Sequence, residues 1–218
     1  MKSIPLQDGA NDFRYLLNRG YPRKAALELV GNRYALTIDQ RHLLHRGVFS
    51  QVSAKVRRGK LIRLRDLRSQ ALAIDGYNVL ITLEAGLSEK PLILADDGFI
   101  RDICGLSGNF KKTSSTDRAM DLVLQTLRKA KPRDVLFLFD SPISRSGSLA
   151  QEVRALLAKE IFSGDARTMR VPEQVLLSFR GIVATSDTAI IDESENVIDL
   201  AGLILKQRVK PTSLVRLR

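Results

Sequence analysis

Three times along this chain a short apolar run is closed by an aspartate. Ala71-Leu72-Ala73-Ile74 ends at Asp75-Gly76, Val135-Leu136-Phe137-Leu138-Phe139 at Asp140, and Gly181-Ile182-Val183-Ala184 at Thr185-Ser186-Asp187. Runs of this length without polar alternation read as strands buried on both faces, as in a parallel sheet. The pattern predicts buried parallel strands at Ala71–Asp75, Val135–Asp140 and Ile182–Asp187, with a weaker strand at Thr168–Val171. Helical patterns lie between them. Ser114-Ser115-Thr116-Asp117 resembles a capping box, after which Met120, Val123, Leu124 and Leu127 form one apolar face. Leu149, Val153, Leu156, Leu157 and Ile161 form another, and a last helix is expected from Ile198 to Lys206. Strands alternating with helices predict an α/β fold with a mainly parallel sheet.

The first 69 residues have a different texture and are expected to form a basic helical region ahead of a second domain at 70–218. Helices are predicted at Phe13–Asn18, after Pro22 (with Ala25, Ala26, Leu29 and Val30), and from Thr37 or Asp39 through Leu43 and Leu44. The basic stretch Lys55–Arg65 follows, and Leu61–Leu67 fits strand or helix equally. The net charge is +11, and residues 1–70 hold 15 Lys/Arg against 5 Asp/Glu, a net of +10. Such asymmetry suggests that this part engages a polyanion. Arg57, Arg58, Lys60, Arg63 and Arg65 are therefore candidate RNA contacts, as are Lys111 and Lys112 in the basic tract Ser107–Ser115, a candidate substrate flap.

Where strands of a parallel sheet end, ligand sites form. One strand-end aspartate is an ordinary turn or N-cap residue. Three at equivalent ends are harder to dismiss, because clustered carboxylates repel unless a cation compensates them. Oxygen-only ligands suit Mg²⁺ or Mn²⁺ rather than zinc. Asp75 is the leading metal ligand, with Asn78 close enough to hydrogen-bond its carboxylate. Asp187 follows, then Asp117 and Asp192 near helix starts, and Asp140. Asp117 lies about two turns before Leu124, which would aim it at the sheet end; Asp121 shares its face. Asp96-Asp97 read as a solvated turn after Leu92–Leu94.

Other chemistries find little support. Neither G-x-x-x-x-G-K-[ST] nor G-x-G-x-x-G occurs, which disfavours those modes of nucleotide binding. The single cysteine, Cys104, excludes an intramolecular disulfide and a cysteine-rich zinc site, and reads as a small buried filler. His42 and His45 read as surface or RNA-contacting residues. No run of roughly 18 apolar residues predicts a membrane span, and Met1–Ala10 lacks the apolar stretch of a secretory signal. A cytoplasmic location and no membrane partner are expected; a homodimer is admitted.

Ala73-Ile74-Asp75-Gly76-Tyr77-Asn78-Val79-Leu80 together with Val183-Ala184-Thr185-Ser186-Asp187-Thr188-Ala189-Ile190 resembles the PIN-like superfamily, most closely its NYN-type ribonucleases. The resemblance covers roughly residues 70–208, and the whole chain resembles an uncharacterised archaeal family of PIN-like proteins. It implies a three-layer α/β/α domain that cleaves RNA, or sometimes structured DNA, with Mg²⁺ or Mn²⁺. Asp75 and Asp187 would hold metal, Asn78 would position a carboxylate or the scissile phosphate, Asp117 would be the middle acid and Asp192 a fourth. The segment from Glu84 to Thr113 departs from the family pattern, so Asp96, Asp97 or Asp121 could replace Asp117.

The expectation is thus a metal-dependent endoribonuclease, with RNA preferred over DNA and Tyr77 a candidate for stacking on a base. Its rival is a catalytically silent RNA-binding module on the same frame. An aspartyl phosphotransferase is disfavoured, because the residue two places after Asp75 is Tyr77 rather than an acid.

Overall fold

The computed structural model describes residues 4–103 and 110–217. Cys104 and Ser107–Asn109 of the expected flap lie outside them. Five strands form one wholly parallel sheet: β1 (Ala71–Asp75), β4 (Asp134–Asp140), β5 (Ser163–Met169), β6 (Ile182–Ala184) and β7 (Asn196–Ile198). Their spatial order is β5-β4-β1-β6-β7. The chain steps outward from β1 to β4 and β5, then returns to place β6 on the other side of β1. The gap between β1 and β6 is therefore the point where strand order reverses.

Side-chain alternation along each strand builds two cores. Leu72 and Ile74 of β1 join Phe137 and Phe139 of β4 in a cluster with α5 (Gly76–Leu87), α6 (Ser114–Ala130), α7 (Ser146–Leu157) and α10 (Leu200–Ile204). Ala73, Leu138 and Val183 face the other way, onto Leu176 of α8 (Pro172–Ser178) and Ile190 of α9 (Thr188–Glu193). Helices cover both faces of the sheet, a three-layer α/β/α arrangement. Ile161 falls outside this packing: α7 ends at Leu157, and Ile161 is 83% exposed.

The N-terminal region holds α1 (Ile4–Asn18), α2 (Arg23–Arg33), α3 (Ile38–Gly47) and α4 (Gln51–Lys60). Thr37 caps α3 in a reciprocal box with Gln40. The ambiguous segment after Lys60 is neither long strand nor long helix: Leu61 bridges to Val197, and a 3₁₀ turn occupies Leu64–Leu67.

A second sheet, which the sequence pattern did not announce, joins the two regions. Its order is β3-β2-β8, from β3 (Ile100–Asp102), β2 (Leu92–Leu94) and β8 (Leu214–Arg216). Ile93, Ile103 and Leu217 pack into the core of the N-terminal helices with Phe13, Leu44 and Val48. Among the described residues no helix is long and apolar enough to cross a membrane.

Candidate active site

β1 runs directly into α5, with Asp75 as the N-cap of that helix. Gly76 is required here for space rather than for an unusual backbone angle. A Cβ at Gly76 would sit 2.3 Å from the Phe139 ring. On the neighbouring strand, β6 stops at Ala184, and Thr185-Ser186 carry the chain to Asp187, the N-cap of α9. The two capping loops face each other across the reversal in strand order.

Hydrogen bonds link the two loops. Asp75 accepts from the Thr185 hydroxyl at 2.9 Å and from the Asn78 backbone N–H at 3.3 Å. The Thr185 oxygen in turn accepts from the Asp187 N–H at 3.1 Å. The Asn78 side-chain carbonyl accepts from the Ser186 N–H at 2.8 Å and from its hydroxyl at 3.0 Å. Thr185 and Ser186 are buried, so these bonds form in low dielectric, where they fix geometry firmly. Asn78 thus orients the second motif through its side chain and Asp75 through its backbone.

The electrostatics at this edge are unfavourable for carboxylates. Burial pushes the Asp75 carboxyl up to about 7, against the Thr185 and Asn78 hydrogen bonds, and the charges of Asp187 and Asp140 add to the rise. Asp140, at the end of β4, lies two residues past Leu138, the register partner of Asp75. Its pKa is also raised, by burial and then by Glu173. Among the described residues none of Asp75, Asp140 or Asp187 makes an ion pair.

The structure therefore brings together Asp75, Asn78 and Asp187, with Asp140 within electrostatic reach. It diverts the other two expected acids. Asp192 is gripped by Arg57, whose Nε and Nη2 donate to it at 2.6 and 2.7 Å. Asp117 is 60% exposed and paired with Lys112 at 2.9 Å. The buried stripe of α6 passes through Thr116, Met120, Val123 and Leu127, which turns Asp117 about 100° away from the core. Asp121 shares a small depression with it, against α7. Among the described residues no three His, Cys, Asp or Glu side chains converge to hold a metal ion.

Asp96 and Asp97 are not a solvated turn. Arg14 pairs with Asp96 at 2.8 Å. Asp97 is fully buried, bidentate to Arg101 at 2.8 Å for both bonds, with Arg57 at 3.5 Å. Of the expected RNA contacts, Arg57 is 7% exposed, Arg58 donates to the Asp96 carbonyl, and Lys60 donates to the carbonyls of Ile191 and Asp192. Arg63 and Arg65 are exposed, Arg65 only 3.8 Å from Asp66. Lys112 is held by Asp117 and Glu152, while Lys111 lines a cleft beside Tyr77. Tyr77 itself is closed to base stacking: it is 3% exposed, edge-on to Phe110 and Phe139 at 4.9 and 5.2 Å.

Sequence reasoning missed Arg23, Arg46 and Arg101. With Arg57 they line a cleft of about 450 Å³ that runs up to Ser186 and Asp187. Arg101 Nε also donates to the Ser186 carbonyl at 2.7 Å, tying this cleft to the second motif. Arg23 and Arg46 act on partners 22 to 56 residues away, which no local pattern marks, whereas Arg101 pairs with Asp97 only four residues before it.

Residues 64–203 match the family described as a domain of unknown function, DUF5616, and residues 5–60 match another, DUF434. The chain is 34% identical, over 92% of its own length and 95% of the relative's, to the uncharacterized protein MJ0935 of Methanocaldococcus jannaschii. No solved structure matches.

Proposed function

We propose that this chain, which belongs to the DUF5616 family, is a metal-dependent nuclease of PIN-like, NYN-type character that hydrolyses RNA phosphodiester bonds. One observation carries the reading. Three acids stand without cationic partners at the carboxyl edge of a parallel sheet, and buried hydrogen bonds through Thr185 hold the two at its reversal point, Asp75 and Asp187, in fixed relation. Ligands of open α/β sheets bind at such points, and uncompensated carboxylates there favour a cation.

The donor set fits Mg²⁺ or Mn²⁺ in one particular way. Mg²⁺ is commonly held by one or two carboxylates together with substrate phosphate oxygens, rather than by an all-protein cage. Asp75 and Asp187 would hold it, with Asp140 adding negative charge nearby. When bound, the cation supplies charge neutralisation at the phosphate and an ionised water at neutral pH. Thr185 and the Asn78 N–H keep the Asp75 carboxylate oriented, and Asn78 keeps Ser186 and the following loop in register. The Asn78 amide nitrogen is uncommitted among the described residues and is available to a phosphate oxygen. We place the activity in the cytoplasm, in keeping with the single cysteine and basic charge.

A second reading, a catalytically silent RNA-binding module, draws on the diversion of Asp117 and Asp192 into ion pairs. One experiment separates the two. Purified protein and its Asp75→Asn variant are incubated with mixed RNAs and Mn²⁺ or Mg²⁺. Wild type should cleave, lose activity in chelator, and exceed the variant by about a thousandfold, equivalent to several kcal/mol. Equal cleavage by both, or none by either with RNA binding intact, sinks the nuclease reading.

A further inference from the structure

The seam between the N-terminal helices and the α/β domain carries a concentration of guanidinium groups that ion pairing alone does not explain. Arg23, Arg57 and Arg101 lie over one ring, that of Phe49, at 4.6, 4.5 and 5.2 Å from its centre. Such stacking fixes the planes of the three groups. Arg57 and Arg101 have Asp97 and Asp192 as partners, and Arg46 has Asp102. Arg23 differs: its Nη2 donates to the carbonyls of His45 and Val48, and it pairs with no carboxylate among the described residues. Burial, then the charges of Arg57 and Arg101, depress its pKa to about 10, a measure of the crowding. Arg46 Nε is buried with no hydrogen-bond partner among the described residues.

All four arginines line the same cleft, and the carboxylate of Asp187 stands at its edge. Ser53 adds a hydroxyl donor, and Tyr21, 54% exposed, offers an open aromatic face at the lining. Resting on the nuclease reading for its placement beside Asp187, we propose that this cleft is a phosphate-recognition pocket for a single-stranded nucleic acid. It would take the phosphate of one nucleotide on Arg23 and Arg46, with that nucleotide's base over Tyr21. Guanidinium suits phosphate through paired N–H donors, and the volume admits one nucleotide. The phosphate belongs either to a strand end or to the backbone passing through.

The test measures binding rather than cleavage, so it does not depend on the nuclease reading. All proteins carry Asp75→Asn and are kept in chelator. A fluorescent RNA is used in 5′-phosphorylated and 5′-hydroxyl forms, with inorganic phosphate as competitor. Arg23→Ala should weaken binding about tenfold at low salt and lower the slope of log affinity against log salt by about 1. Because Arg23 also braces carbonyls at the end of α3, a second variant is needed. Ser53→Asp sits at the third position of α4 behind the Ser50 cap, where an acid favours the helix; its charge in the cleft should also weaken binding about tenfold. Preference for the 5′-phosphorylated RNA identifies a strand end, and equal loss for both forms identifies the backbone. If Ser53→Asp, folded by melting temperature, binds both RNAs within twofold of its parent, the proposal fails, whether or not the wild type cuts RNA.

Discussion

Aspartates occupy two regions of this molecule on opposite terms. In the seam between the N-terminal helices and the sheet, Asp96, Asp97, Asp102 and Asp192 each face an arginine. At the carboxyl edge of the sheet, Asp75, Asp140 and Asp187 make no ion pair among the described residues, and the charges of Asp187 and Asp140 bear on Asp75. The difference separates a carboxylate that fastens the protein from one left without a counter-charge. It also reassigns part of the positive charge of the N-terminal third. Arg14, Arg46 and Arg57 neutralise acids of the other region, so part of the asymmetry in the sequence is complementarity within one chain.

The sharpest way to break the comparison is to neutralise Asp75 and follow stability as well as activity. Its folded pKa lies above the ordinary carboxylate value, so the folded chain holds this proton more tightly than the unfolded one. Stability therefore falls as pH rises from about 4 towards 7, and the full cost persists above that. A rise from the ordinary carboxylate value to about 7 bounds this cost at about 4 kcal/mol. Asp75→Asn should flatten this dependence in chelator, raising the melting temperature at pH 8 and leaving it unchanged at pH 4. A variant less stable than wild type at pH 8 would remove the charge strain assigned to this edge.

The seam should respond in the opposite sense. Arg101→Met leaves Asp97 fully buried without its main partner, a loss of about 3 to 5 kcal/mol in urea unfolding. The double variant with Asp97→Asn should recover part of it. A single variant within about 1 kcal/mol of wild type would mean that the pair is not a fastening.

Smaller effects come from the two acids that the structure diverts. Asp192→Asn should cost about 1 to 3 kcal/mol through its bonds to Arg57, and Asp117→Asn less than about 1 kcal/mol, as for an exposed pair. Neither should change the cleavage rate of folded protein more than about threefold, since neither stands with Asp75. A thousandfold loss in either variant would return that residue to the metal site.

The parallel sheet was legible because its strands are buried on both faces and read as uninterrupted apolar runs. β1 falls where its sequence predicts, and both capping loops lie at its carboxyl edge. Their pairing through Asn78 and Thr185 follows from strand order, which periodicity does not encode. The position of Asp117 was misread because one residue along a helix is a 100° turn, and Leu124, used as the reference, lies at the margin of the buried stripe. β2, β3 and β8 are three residues each, too short for any period, and β8 pairs with a strand some 120 positions earlier. The seam arginines share that difficulty: Arg57 and Asp192 are 135 residues apart.

The parallel pairing of β8 with β2 has a consequence for synthesis. Leu217 closes the core of the N-terminal helices, and its carbonyl receives a hydrogen bond from Arg14 Nη2 at 3.0 Å. Leu217 follows Arg14 by 203 positions, so the apolar face of the helices is completed only after the intervening α/β region has been made.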